Sequence, residues 1–217
     1  MTTFHDHIKS QTEIAHAEAE EAPFIASLMR GTLNPTAYRD YLSALLPIYE
    51  AMEAHFKTSD PQGLLGPFNR SALYRSSQIA QDIAHIENEF DLASAPEIPK
   101  ATRAYLELLD EEISEARLLA HHYIRYLGDL SGGQAIAKLV GRHYQIPAEG
   151  LNFYDFSGID DAVEFKRNYR ELLNSEVTEA KDQFDFLDEV KALYALSRDI
   201  FLELGETHPP EEDQIRV

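Results

Sequence analysis

The sequence predicts an all-α protein of one domain, and three observations carry that expectation. Only five of its 217 residues are valine, while alanine, leucine and glutamate are plentiful, a balance that favours helices over strands. Apolar residues recur at helical spacing along most of the chain, and no stretch alternates as a half-buried strand does. Proline, glycine and short polar residues sit where such stretches begin and end. The length suffices for one substantial core, and a 44% apolar content without low-complexity tracts marks a globular chain. No repeat is evident. The domain is expected over residues 1–205, with 206–217 a flexible acidic tail.

The elements follow in order. The first helix is expected over about Thr3–Glu20, turning Ile8, Thr12, Ala15 and Ala19 inward. Pro23 opens a short second helix, and Gly31 stops it. Asn34-Pro35 is a cap followed by proline at the first helical position. The long helix it starts places Tyr38, Leu42, Leu45, Leu46, Tyr49, Met52 and Phe56 on one stripe. Thr58–Phe68, with two prolines and two glycines, reads as a loop. Helices over about Asn69–Phe90 and Thr102–His121 flank a Pro96–Pro99 connector. A glycine-bearing helix then runs to about Gly141–Tyr144, closed by Pro147. Gly150–Gly158 is an aromatic loop holding Phe153, Tyr154 and Phe156, and helices over about Asp160–Asn174 and Thr178–Leu204 complete the set.

Composition excludes several classes. Cysteine is absent, so no disulfide, thiolate metal site or catalytic cysteine exists. A formal net charge of −19 repels nucleic acid, although a local Lys/Arg cluster can still hold a small anion. Residues 1–22 are too polar for a signal peptide, and no apolar run reaches membrane-spanning length. A soluble, cytoplasmic protein without membrane attachment is expected.

The most unusual segment is Tyr123-Ile124-Arg125-Tyr126-Leu127-Gly128-Asp129-Leu130-Ser131-Gly132-Gly133-Gln134, which sets three glycines inside otherwise strong helix. Each costs a helix interior about 1 kcal/mol relative to alanine. Gly128, Gly132, Arg125, Asp129 and Gly133 share an arc of roughly 140°, a face with one carboxylate, one guanidinium and little bulk. Such a face suits close approach to something flat; it equally suits tight helix–helix packing.

Among nine histidines, His16 stands out because Glu20 lies four residues on, where a carboxylate can orient a metal-bound imidazole. Lys9 lies on the same face, about 10 Å along the axis. Lys166 and Arg170 form a cationic i, i+4 pair that reads equally as a solvated face. Tyr49 fits the core with its hydroxyl satisfied locally. Glu13 with His16, and more weakly Asp82 with His85, match the Glu-x-x-His pattern of di-iron bundles.

The run from His121 to Gln134 closely resembles the distal-helix signature of the heme oxygenases. Ala15-His16-Ala17-Glu18-Ala19-Glu20 is similar to their proximal-helix signature, and Phe153–Phe156, Phe165–Arg170 and Phe201–Gly205 match in order and spacing. The resemblance spans about Ile8–Gly205. It implies a single helical domain holding heme b between a proximal and a kinked distal helix, heme being both cofactor and substrate. It implies His16 as the iron ligand with Glu20 as its hydrogen-bond partner. Gly128 and Gly132, with Gly133 beside them, would lie over the heme. Asp129, Tyr49 and Arg125 would organise distal water, while Lys9, Tyr123, Lys166 and Arg170 hold the propionates. The implied reaction is oxidative cleavage of heme, usually at the α-meso carbon, to biliverdin, carbon monoxide and ferrous iron, using O₂ and a ferredoxin or flavoprotein reductase. Ser197 departs from the family, which often carries asparagine there. The other readings are a non-catalytic heme-binding or storage protein and a di-iron bundle.

Overall fold

The computed structural model of the chain describes residues 2–92, 96–109 and 112–210, and among these it contains helices and no strand. Eight α-helices follow one another: α1 Phe4–Glu20, α2 Pro23–Arg30, α3 Pro35–Thr58, α4 Ser76–Glu89, α5 Lys100–Glu107, α6 Glu115–Tyr144, α7 Ala162–Glu176 and α8 Ala180–Thr207.

The early helices obey their local signals. Thr3 and Asp6 form a reciprocal capping box at the start of α1. Asn34 Oδ1 accepts from Ala37 N at 3.0 Å to cap α3. Gly31 ends α2 with φ +73°, and a Cβ there would sit 2.5 Å from the His143 ring, so both conformation and space require glycine. The α3 stripe is buried as expected, with Leu46 at its edge.

The middle of the chain departs from expectation because distant carboxylates set the helix starts. The helix expected from Asn69 begins at Ser76, after 3₁₀ turns over Gly66–Phe68 and Ser71–Leu73. Glu53 of α3, buried, accepts from the backbone N–H of both Arg75 and Ser76 and so caps α4 from another helix. The Arg75 guanidinium folds back onto the carbonyls of Ala72, Leu73 and Tyr74, which holds 72–74 in a turn. The single helix expected over 102–121 is two. Glu203 of α8 accepts from Lys100 N and Ala101 N at 2.8 Å, starting α5 early. His55 Nε2 takes the Leu109 carbonyl at 3.1 Å, and Ser114 caps a new helix. That helix, α6, is unbroken through Gly128, Gly132 and Gly133, and Gln145 in the left-handed region ends it before Pro147.

At the C-terminal end α8 continues through Gly205, where fraying was expected, to Thr207. His208 Nε2 bonds Asp40 Oδ2 at 2.9 Å; Asp40 pairs with Arg39, and Arg39 with Glu87, joining α8, α3 and α4. The rest of the expected tail, 211–217, lies outside the described residues.

α8 organises the interior. Phe4 meets Phe186, His16 meets Tyr194 and Glu18 pairs with Arg198, so α1 runs parallel to α8. Arg117 and His121 bond Glu189, and Arg125 bonds Ser197, so α6 also runs parallel to α8. These pairings put His16 of α1 and Arg125 of α6 at one level of α8, near residues 194–197. α7 is antiparallel to α6, matching Tyr169 to His122 and Lys166 to Leu130. The aromatic loop is fixed by Asp82, whose carboxylate accepts from Asn152 N, Asn152 Nδ2 and Phe153 N, each at 2.8 Å.

Because those donors are left unpaired without it, Asp82→Ala is expected to lower unfolding free energy by about 2–4 kcal/mol. Urea denaturation checks this; a loss below about 0.5 kcal/mol contradicts the assignment.

Candidate functional site

The glycine face of α6 divides into two adjacent i, i+4 stripes with different surroundings. Gly128 and Gly132 are exposed, and a Cβ at either would meet nothing within 4 Å. Gly133, expected with them beside the ligand, is instead buried: a Cβ there would lie 2.8 Å from Tyr154 Cδ1. Helix packing therefore explains Gly133 and leaves Gly128 and Gly132 without a packing partner. Two glycines, each costing the helix about 1 kcal/mol, line open space.

On the second stripe stand Arg125, Asp129 and Gly133. Tyr49 of α3 donates its hydroxyl to Asp129 Oδ2 at 2.6 Å, short enough to be a strong bond to a carboxyl. Burial raises the Asp129 carboxyl to about 7, opposed by the Tyr49 bond and by Arg125 and Arg75. Burial and then Asp129 push the Tyr49 phenol well above its ordinary range, so it stays a donor. A carboxyl near 7 gains and loses a proton at neutral pH.

Arg125 does not reach the open edge. Its Nε donates to Tyr105 Oη at 3.2 Å and Nη2 to Ser197 Oγ at 2.8 Å, with the guanidinium 4.8 Å from the Tyr105 ring centroid. It acts on Asp129 by charge, from inside. Ser197 in turn donates to the Leu193 carbonyl at 2.7 Å, so its hydroxyl accepts from Arg125 while its proton is committed to its own helix. Tyr105 and Arg75 were not found from the sequence. Tyr105 meets Arg125, and Arg75 acts on Asp129, across elements far apart in sequence, so no local spacing marks either role.

At the same level of α8, His16 is half exposed, its side chain 49% accessible, with Nε2 3.2 Å from Glu20 Oε1. Glu20 engages one ring nitrogen and the other is left for a ligand; which is which depends on ring orientation. Tyr194 stands edge-on at 5.3 Å and limits how the imidazole tilts. This partner was also missed, since helical spacing on α1 says nothing about α8.

The cations cluster where α1, α6 and α7 meet. Tyr123 of α6 packs on Phe186 and Tyr169 and approaches His5 of α1 at 6.3 Å between ring centroids. Arg170 Nε is buried and, among the described residues, has no hydrogen-bond partner. Lys9 is exposed one turn beyond His5. Lys166 Nζ bonds the Leu130 carbonyl at 3.3 Å and Ser131 Oγ at 3.1 Å, tying α7 to the glycine segment. A shallow pocket of about 320 Å³ at Arg70, Gly158 and Phe165 shares no residue with this region.

The di-iron alternative fails on geometry. Asp82 is consumed by the backbone of 152–153, and among the described residues no three His, Asp or Glu side chains converge.

Comparison with known proteins decides the family. The family model described as heme oxygenase matches residues 2–203. The chain is 32% identical over 200 residues to a heme oxygenase of Guillardia theta, covering 91% of this chain and 84% of that protein. The chain belongs to the heme oxygenase family. Its fold matches the heme oxygenase structure from Leptospira interrogans with a TM-score of 0.82, at 31% identity and with 94% of this chain and 100% of that chain covered. It matches heme oxygenase-1 of the cyanobacterium Synechocystis, solved in complex with heme, with a TM-score of 0.84, at 27% identity and with 94% and 93% covered. The enzyme cleaves heme to biliverdin, carbon monoxide and iron, and heme is both its substrate and its prosthetic group. Among the described residues no helix is long and apolar enough to cross a membrane.

The residues present fit heme. Open space over Gly128 and Gly132 admits a flat macrocycle. The buried, unpartnered Arg170 Nε suits a carboxylate, and His16 retains a free nitrogen.

A glycine scan separates the two stripes. In the heme-free enzyme, Gly128→Ala and Gly132→Ala are expected to raise stability by about 0.5–1 kcal/mol each through helix propensity. Gly133→Ala is expected to lower it by about 1–3 kcal/mol through the clash with Tyr154. With heme the order reverses for function, the first two losing bilin yield. Thermal unfolding of the three variants checks the signs; stabilisation by Gly133→Ala contradicts the assignment.

Proposed function

We propose that this enzyme performs heme cleavage with His16 as the proximal iron ligand and Asp129 as the organiser of distal proton delivery. The observation that carries the reading is the 2.6 Å hydrogen bond from Tyr49 to Asp129, one residue from a glycine that faces open space, with burial raising that carboxyl to about 7. Bound heme supplies the iron that activates O₂ and the ring carbon that is oxidised.

The chain's own residues divide the remaining work. Glu20 accepts from the distal nitrogen of the His16 imidazole, fixing its orientation and strengthening it as a donor to iron. Tyr194 restricts the tilt of that ring. Gly128 and Gly132 would present backbone, rather than side chains, to the macrocycle, since the space beside both is open. Asp129 holds water beside that space and passes it a proton. Tyr49 keeps one carboxyl oxygen fixed, and Arg125 and Arg75 restrain the rise of the carboxyl that burial causes. Lys9, Tyr123, Lys166 and Arg170 receive the propionates and so set which meso carbon faces the distal water, taken here as α. Iron leaves in the ferrous state. Electrons come from a ferredoxin or flavoprotein reductase docked from outside, and the reaction is placed in the cytoplasm. The domain, expected over 1–205, is taken to run on through the end of α8 at Thr207.

A heme store needs the ligand and anchors but no positioned carboxyl, and this distinguishes the two roles. Asp129→Ala is expected to keep heme affinity within about twofold and to lower biliverdin formation at least tenfold, the scale of a lost general acid. Oxidation of a peroxidase dye by the same variant should rise. His16→Ala should change the Soret band and lose turnover, with partial recovery in imidazole. A folded, heme-loaded Asp129→Ala that makes biliverdin at the parent rate contradicts the assignment.

A further inference from the structure

His5 lies in the first turn of α1, tied to the end of α7 by its backbone N–H, which donates to Asn174 Oδ1 at 2.8 Å. Its imidazole is half-buried and faces the cationic cluster. Arg170 of α7 and Lys9 of α1 act on it as like charges, and Tyr123 of α6 meets it edge-on at 6.3 Å and 67°. The nearest element of α8 here is Phe186, which is uncharged and packs on Tyr123 and Phe4. Asp6 is the adjacent carboxylate, and it is committed to the α1 cap through Thr3. A chain with 38 acidic residues thus leaves two cations, an imidazole and a phenol together, with a buried guanidinium nitrogen unpaired among them. Among the described residues, Asp6 is the one carboxylate recorded as acting on this imidazole, and Arg170 Nε has no acceptor.

We propose that His5 is a further anchor for heme, becoming protonated as the porphyrin carboxylates settle beside Arg170 and Lys9, so that heme binds more tightly as pH falls. This rests on the assignment of Lys9, Tyr123 and Arg170 as propionate contacts. In the free enzyme, burial and then Arg170 hold the imidazole below its ordinary value, with Lys9 adding to the effect and Asp6 opposing it. His5 is then neutral at pH 7. Docked carboxylates reverse the local field and favour the imidazolium, with the proton taken from solvent. The sign follows from linkage: the complex carries one more proton than the free enzyme between the two values. Affinity therefore rises as pH drops through the value in the complex, and levels off below the value in the free enzyme.

The test uses zinc protoporphyrin, a diamagnetic probe with the same carboxylates, bound to the parent and to His5→Gln. Parent-to-variant affinity ratios cancel the pH behaviour of the porphyrin itself. The ratio should be near one at about pH 8 and grow to about three- to tenfold at about pH 6, since one unit of displacement corresponds to tenfold. Isotope-edited NMR of His5 should show its titration moving upward when the porphyrin binds. A ratio that stays constant across this range, with an unmoved His5 titration, overturns the role. Arg170→Ala and Lys9→Ala separate the two levels of the argument. If both weaken binding while the His5→Gln ratio is flat, only His5 is wrongly assigned. If neither weakens binding, the propionate assignment fails and the inference with it.

Discussion

The hydrogen bond from Tyr49 to Asp129, and the burial around it, is the interaction on which the candidate site depends. A carboxyl on the inner side of α6 costs the fold desolvation, and it is tolerated because α3, α6 itself and the turn before α4 each supply a compensating group. Tyr49 reaches it from α3 at 2.6 Å, and Arg125 and Arg75 supply positive charge at greater range. None of these partners neutralises it through a direct ion pair. That incomplete compensation keeps the carboxyl close to neutrality, where a proton can be held or released at little cost. A full salt bridge to Arg125 would have fixed it as a carboxylate. Arg125 is instead drawn away by Tyr105 and Ser197.

α8 makes the two halves of the site meet. It carries Tyr194 against His16 and Ser197 against Arg125 within one turn, so the imidazole proposed to hold iron lies at the level of Arg125, one turn before the carboxyl proposed to handle protons. The same helix grips α6 further back through Glu189, which is buried between Arg117 and His121. With α1 and α6 both braced on α8, the space beside Gly128 and Gly132 stays open without being held open by side chains. The glycine pair is a local loss of helix stability at the face proposed to receive heme.

Much of this was legible in the sequence wherever the signal is local. Pro23 with Gly31 and Asn34 with Pro35 bounded the second and third helices because each signal lies within a few residues of the backbone it acts on. The starts of α4 and α5 were misjudged because Glu53 and Glu203 supply their caps from other helices, and sequence distance hides such partners. The extension of α8 past Gly205 has the same origin in the His208–Asp40 contact. At the site, helical spacing placed His16 beside Glu20 and set the three glycines on one arc. It could not separate Gly133 from Gly128 and Gly132, since only the position of Tyr154 tells them apart. Tyr105, Arg75, Tyr194 and His5 escaped for one reason: their roles depend on which helix lies opposite.

The central claim is that Asp129 exchanges its proton near neutrality, and the direct measurement is its own titration. Carbon-13 NMR of aspartate carboxyls in the heme-free enzyme, assigned with Asp129→Asn, reads that value without reference to turnover. The account predicts a midpoint at about 7 that rises in Tyr49→Phe, where the stabilising bond to the carboxylate is lost. An Asp129 carboxyl that titrates at about 4, as an exposed aspartate does, would contradict it.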